Sequence, residues 1–176
     1  MSIKNIVATA HLMTNLNLED IMAALPGYSS INKAFNSLNI KTDKNTLLQL
    51  FKHGKVIVIG GQTEGQSKRL FLRYLRLLAE IGVPTEYENF RIQNIVACYD
   101  HGSRVNLARI AAQYKLEFEP ELFPAVRLRN NHFKVTTNIF HTGKCVILGA
   151  RSVELVNHTV CYIRKIFKNA ETGFGS

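Results

Sequence analysis

The stretch Gly60-Gly61-Gln62-Thr63-Glu64-Gly65-Gln66-Ser67 follows an apolar strand and opens a helix. A glycine-rich turn in that setting can cradle phosphate. It departs from the phosphate-binding loop G-x-x-x-x-G-K-[ST] where that loop is least tolerant: Gln66 replaces the lysine, and Glu64 would repel phosphate. Its strand belongs to a hairpin rather than opening a βαβ unit, so a phosphate-loop nucleotide-binding protein stands only as an alternative. Other chemistry finds less support. His11, His53, His101, His132, His141 and His158 show no metal-ligand spacing with each other or with cysteine. No G-x-S-x-G is present, and Asp100-His101 has no nucleophile placed beside it by sequence. Cys98, Cys145 and Cys161 are far apart and form no C-x-x-C, which fits a reducing compartment. These residues predict no enzyme, no metal site and no cofactor.

Chemistry of another kind is suggested by charge. The chain has 22 Lys+Arg against 13 Asp+Glu, a formal net charge of +9. A balance of that size favours polyanions, either nucleic acid or an acidic membrane surface, although a basic soluble protein also has it. Hydrophobic residues make up 46% of 176 residues, ordinary for a globular chain of one domain or two small halves. The start, MSIKNIVATAHL, has too short an apolar run for a signal peptide. No apolar run approaches a membrane span. The expectation is an intracellular, soluble protein with no membrane contact.

The elements that must position any site are organised by a repeat. Asn5-Ile6-Val7-Ala8 recurs as Asn94-Ile95-Val96-Ala97, and Asn17-Leu18 as Asn106-Leu107. Phe51-x-x-Gly54-Lys55 recurs as Phe140-x-x-Gly143-Lys144, and Phe35 matches Phe123. Each half reads as a strand (Ile3 to Thr9; Ile92 to Cys98), a short helix (Leu18 to Leu25; Leu107 to Tyr114), several strands and a long helix. The last two strands form a hairpin, 46–52 with 56–59 and 135–141 with 145–148. The long helices are expected at Gly65 to Ile81 and Val153 to Lys168. In the first, Phe71, Tyr74, Leu75, Leu78 and Ile81 form a stripe at helical spacing, and Gly82 then Pro84 end it.

Antiparallel hairpins with covering helices predict an α+β sheet whose helices lie on one face. A strand facing water should alternate apolar and polar residues. Val56-Ile57-Val58-Ile59 and Cys145-Val146-Ile147-Leu148 do not alternate. Either both faces are covered by protein, or one is an apolar binding surface.

The repeated Asn-Ile-Val strands and Phe-x-x-Gly-Lys hairpins resemble the TATA-box-binding protein family. So do Gly65-Gln66-Ser67, Ile92-Gln93-Asn94-Ile95-Val96 and Glu119-Pro120-Glu121-Leu122-Phe123-Pro124. The resemblance runs from about Ile3 to Lys168. It implies a pseudo-twofold saddle of one curved antiparallel sheet with helices on the convex face. It also implies halves at 1–88 and 89–171, a tail at 172–176, and a transcription initiation factor that binds and bends promoter DNA. The family is the standing example of a minor-groove binder that kinks DNA with apolar wedges.

Carried onto this chain, the resemblance makes Phe35 with Phe51, and Phe123 with Phe140, the kinking pairs, Pro124 lying beside the second. Asn5 and Asn94 would donate to adenine N3 and thymine O2 on the groove floor. Val7, Ile57, Val96 and Val146 would face that floor. Lys41, Lys55, Arg129 and Lys144 would hold phosphates, which position DNA without reading its sequence. Glu119, Glu121 and Leu122 would dock a transcription factor IIB-like protein.

The chain also departs from the family. Ile59 and Leu148 stand where each hairpin's second strand carries threonine, and Gln49 and Asn138 where the first carries leucine. Both changes occur in both halves, which predicts a DNA preference other than a strict TATA element. Side-chain carbonyls at Gln49 and Asn138 could accept from a guanine amino group. The first stirrup, Pro26-Gly27-Tyr28-Ser29-Ser30, and Ala34 also differ, leaving open a transcription factor IIA-like partner. Such drift points to a fast-evolving lineage, a large DNA virus or a parasite. The expected location is the nucleus, or a cytoplasmic viral factory for a viral source. Two further questions stay open: whether a homodimer covers the concave face without DNA, and whether the chain is a protein-interaction module that has lost DNA binding.

Overall fold

The computed structural model describes residues 1–172. The chain divides into two compact units, Asn5–Gln93, and residues 94 onward with Met1–Lys4. Each has antiparallel strands and two helices.

The first unit takes its strands from β1 (Ser2–Leu12), β2 (Ser29–Asn32), β3 (Ser37–Ile40), β4 (Leu47–Phe51) and β5 (Lys55–Ile59), in the order β2-β3-β4-β5-β1. Helices α1 (Leu18–Ala24) and α2 (Glu64–Glu80) supply its other layer. Side chains alternate across a strand. Leu38, Ile40, Leu48, Leu50, Val56 and Val58 therefore face one way and pack into a core with Ile21, Phe71, Tyr74, Leu75 and Leu78. The predicted α2 stripe is this core. Thr63 caps the helix, its Oγ1 accepting from Gln66 N at 3.1 Å. Gly82, at φ +81, ends it.

The second unit draws on β6 (Tyr87–Asp100), β7 (Ala125–Asn130), β8 (Val135–Phe140) and β9 (Lys144–Ala150), in the order β6-β9-β8-β7. Its helices are α3 (Leu107–Tyr114) and α4 (Val153–Thr172). Ile95, Ala97, Val126, Ile139 and Ile147 are fully buried, as are Ile110 on α3 and Val156, Ile163 and Ile166 on α4.

Two repeated features have local causes. Asn17 and Asn106 are the N-caps of α1 and α3; Asn17 Oδ1 accepts from Glu19 N, and Asn106 Oδ1 from Arg109 N at 3.0 Å. Gly54 and Gly143 sit at φ +83 and +81, where a Cβ would collide with the carbonyl oxygens of Leu12 and Ser103. Each glycine carbonyl accepts from a strand end, Leu12 N at 2.8 Å and His101 N at 3.1 Å.

Some boundaries differ from expectation. β6 begins at Tyr87 rather than Ile92, because its polar start is held by pairing rather than by an apolar run. Gln93 Nε2 donates to Thr9 Oγ1 at 2.9 Å, and Met13 N donates to Glu86 O at 2.9 Å. α4 runs on to Thr172. Of the expected tail, Thr172 closes α4 and 173–176 lie outside the described residues.

Candidate nucleic-acid interface

In each unit the strands have a second face, opposite the helices, which we call the open face. In the first unit one cross-strand row on it is Asn39–Gln49–Ile57–Thr9, set by the registers Asn39↔Gln49, Gln49↔Ile57 and Thr9↔Ile57. A second row is Leu47–Ile59–Val7. All seven side chains are half-exposed, while their strand neighbours Leu48, Leu50, Val56, Val58 and Ala8 are buried. The unalternating run Val56–Ile59 is thus core on one side and bare apolar surface on the other. Asn5 is likewise half-exposed at the start of this stretch. Phe51 stands opposite Ser37. Phe35 precedes the left-handed Asn36 and is 66% exposed, far from the behaviour of a core phenylalanine.

The second unit repeats the arrangement. Arg127–Asn138–Val146–Cys98 form one row, and Arg129–Thr136–Leu148 another. Val146, Leu148, Val96 and Cys98 are half-exposed. Phe123 and Phe140 meet edge-on, ring centroids 6.3 Å apart, and the Arg127 guanidinium lies 5.2 Å over Phe123. An apolar trough of about 690 Å³ lies on this unit, its lining including Cys98, Pro124, Phe140, Lys144 and Val146. Asn94 is half-exposed; its Oδ1 accepts from Gly149 N at 2.7 Å beside a register shift between Ile95 and Ala97. That bond occupies its carbonyl and leaves the amino group as donor.

Basic residues accompany the open faces. Lys41, Lys55, Arg129 and Lys144 are all exposed. Lys55 Nζ lies 5.6 Å from the Phe51 ring. In the turn before Phe123, Glu119 and Glu121 are exposed and Leu122 is 80% exposed, a large apolar side chain held in water. The turn is closed by Leu122 N and Phe123 N, both donating to Glu119 O.

The family model for Transcription factor TFIID (or TATA-binding protein, TBP) matches residues 1–81 and again 89–170. The chain belongs to the TATA-binding protein family. It is 34% identical to TATA-box-binding protein-like 1 of Entamoeba histolytica over 167 residues, 93% of this chain and 77% of that one. It is 32% identical to the TATA-box-binding protein of Tetrahymena thermophila over 88% of this chain, and spans 64% of that relative's length. The structure of Methanococcus jannaschii TBP matches it with a TM-score of 0.84 at 28% identity, covering 96% of this chain and 98% of that one. The α+β fold with antiparallel sheet, two repeats and four helices is the family's fold.

Within this member of the TATA-binding protein family, the glycine turn at Gly60–Ser67 has a structural role. Gln66 Oε1 accepts from Gln62 N at 2.8 Å, so the residue standing for the phosphate-loop lysine folds back onto its own turn. A Cβ at Gly61 would meet Ser67 N at 2.9 Å. Cys145 faces the core, and burial, with the charges of Asp100 and Cys98, pushes its thiol up to about 12. It stays protonated and offers no nucleophile.

Sequence reasoning did not single out Asn39 and Arg127, which stand across from Gln49 and Asn138 on the open faces. A signal was available. Each lies four residues after a repeat phenylalanine, Phe35 or Phe123, and each stands between two apolar residues, Leu38 and Ile40 or Val126 and Leu128.

Proposed function

We propose that this chain is a transcription initiation factor that grips duplex promoter DNA by its minor groove, bends it, and recruits a transcription factor IIB-like protein. It acts by binding, not by catalysis. The observation that carries the reading is the open face itself. In each unit a half-exposed apolar floor stands beside a repeat phenylalanine pair and exposed lysines or arginine. A patch of that kind is costly to leave in water and marks a binding surface. Flat apolar wedges replace lost base stacking, and cations neutralise phosphates. The two repeats, 1–88 and 89–171, would each supply half of the contact. The bare Leu122, following Glu119 and Glu121 in the same turn, is the docking point for the IIB-like partner. The family's transcription role supports work in the nucleus.

The test is a mobility-shift titration on an A·T-rich duplex carrying an energy-transfer pair at its ends. A shifted band with a shortened end-to-end distance is expected. No shift of any duplex at low salt would refute DNA binding and leave the fold with a protein-interaction role.

A further inference from the structure

We infer, resting on the DNA-binding reading above, that the two open faces read different hydrogen-bonding signals: the first holds an acceptor, Gln49, that admits a guanine amino group, whereas in the second Asn138 and Arg127 offer only donors and exclude it. The outcome is a DNA site that is not the same in its two halves.

The cause is one residue on the neighbouring strand. Ser37 is fully buried, and Gln49 Nε2 donates to its Oγ at 2.8 Å. That bond turns the amino end of Gln49 toward β3 and leaves the carbonyl oxygen as the group it can present. In the second unit the position equivalent to Ser37 is Ala125, which has no hydroxyl to hold an amide. There Asn138 lies the other way round. Its Oδ1 is covered and has no partner, so its amino end is what remains for the open side. Arg127, directly across the strand pair, is exposed and held over the Phe123 ring. A guanidinium carries five donors and no acceptor. Asn39, across from Gln49, also has a covered Oδ1 with no partner and presents its amino end, so the first row sets one donor beside the acceptor of Gln49, whereas the second row is all donor where it is polar.

The minor groove translates this into sequence. A·T pairs show only the acceptors adenine N3 and thymine O2; G·C adds the guanine amino donor. Donors at Asn138 and Arg127 match the acceptors but oppose the guanine amino group, which would leave a buried donor unpaired. The carbonyl of Gln49 can accept from that same group. The sequence alone suggested guanine acceptance at both Gln49 and Asn138; the structure divides the two.

Selection from a random duplex pool tests this, followed by titration of single G·C substitutions in the best site. For wild type we expect one half of the site to admit G·C at an inner position and the other half to remain A·T. Gln49→Leu should make the tolerant half strict, with affinity for the G·C duplex falling about tenfold relative to the A·T duplex. Ala125→Ser with Arg127→Asn and Asn138→Gln should transplant the tolerance to the second half. Melting curves of each variant establish that it is folded. A logo equally tolerant or equally strict in both halves, or one unchanged by Gln49→Leu, overturns the assignment while leaving DNA binding intact. Absence of binding by wild type to every duplex would instead overturn the reading on which it rests.

Discussion

Ile139 and Phe140 are adjacent on β8 and point to opposite faces, so alanine at each should break a different property. Ile139 is fully buried. Truncating it removes its packing and leaves a cavity, at a cost of about 2–5 kcal/mol. For a domain of this size each kcal/mol lowers Tm by roughly 2–4 °C, so the melt should fall by about 4–20 °C. Phe140 is half-exposed, and its ring meets Phe123, centroids 6.3 Å apart. Losing such a pair costs about 0.5–1.5 kcal/mol, roughly 1–6 °C. On DNA the order should reverse. A wedge that offsets unstacking is worth a few kcal/mol, so Phe140→Ala should weaken binding to a bent duplex on the order of a hundredfold. Ile139→Ala, assayed well below its melt, should bend DNA as wild type does. Thermal melts by circular dichroism and energy transfer across a short duplex measure the two effects. Equal melts for both variants, with the Phe140→Ala complex bent like wild type, would refute the assignment of faces.

Three further outcomes are expected. If Lys41, Lys55, Arg129 and Lys144 each neutralise one phosphate, the plot of log affinity against log salt has a slope of about −3 to −4; replacing all four by alanine should flatten it. Charge reversal of Glu119 and Glu121 to lysine should leave the DNA complex intact and abolish the ternary complex with a IIB-like protein, read as loss of the supershifted band. Burial raises the Cys145 thiol from its ordinary 9.0 to about 12, so the folded state keeps a proton that the unfolded chain releases. That stabilisation is complete below about pH 9 and is lost as pH rises toward 12. Urea melts of wild type and Cys145→Val should diverge over that window, with wild type losing more.

The repeat and its paired phenylalanines were legible in the sequence because they are carried by residue type and spacing. Phe35, Phe51, Phe123 and Phe140 at matching offsets needed no coordinates. Nor did the non-alternating runs at Val56 and Cys145, which pose the question of a second apolar face. The half-exposure of Ile57 and Val146 answers it. Other features were hidden. Asparagine and glutamine carry a donor and an acceptor on one planar group, and only neighbours such as Ser37 or Ala125 decide which is presented. The Asn94 carbonyl is taken by Gly149 N at a register shift, which no pattern along one strand can reveal. The early part of β6 is too polar to read as a strand, and pairing holds it there.

The pleat of β4, β5, β8 and β9 has a consequence for how such a protein can change. Residues of one parity hold the fold together and residues of the other line the open face, so the two sets can vary almost independently by substitution. Gln49 or Leu148 can be exchanged without disturbing Leu48 or Ile147. Length change is another matter. Inserting a single residue within one of these strands would turn every later side chain over, sending the open-face set into the core and the core set outward. Binding specificity is thus open to drift by point mutation, while strand length is locked, and insertions or deletions are confined to the turns between strands.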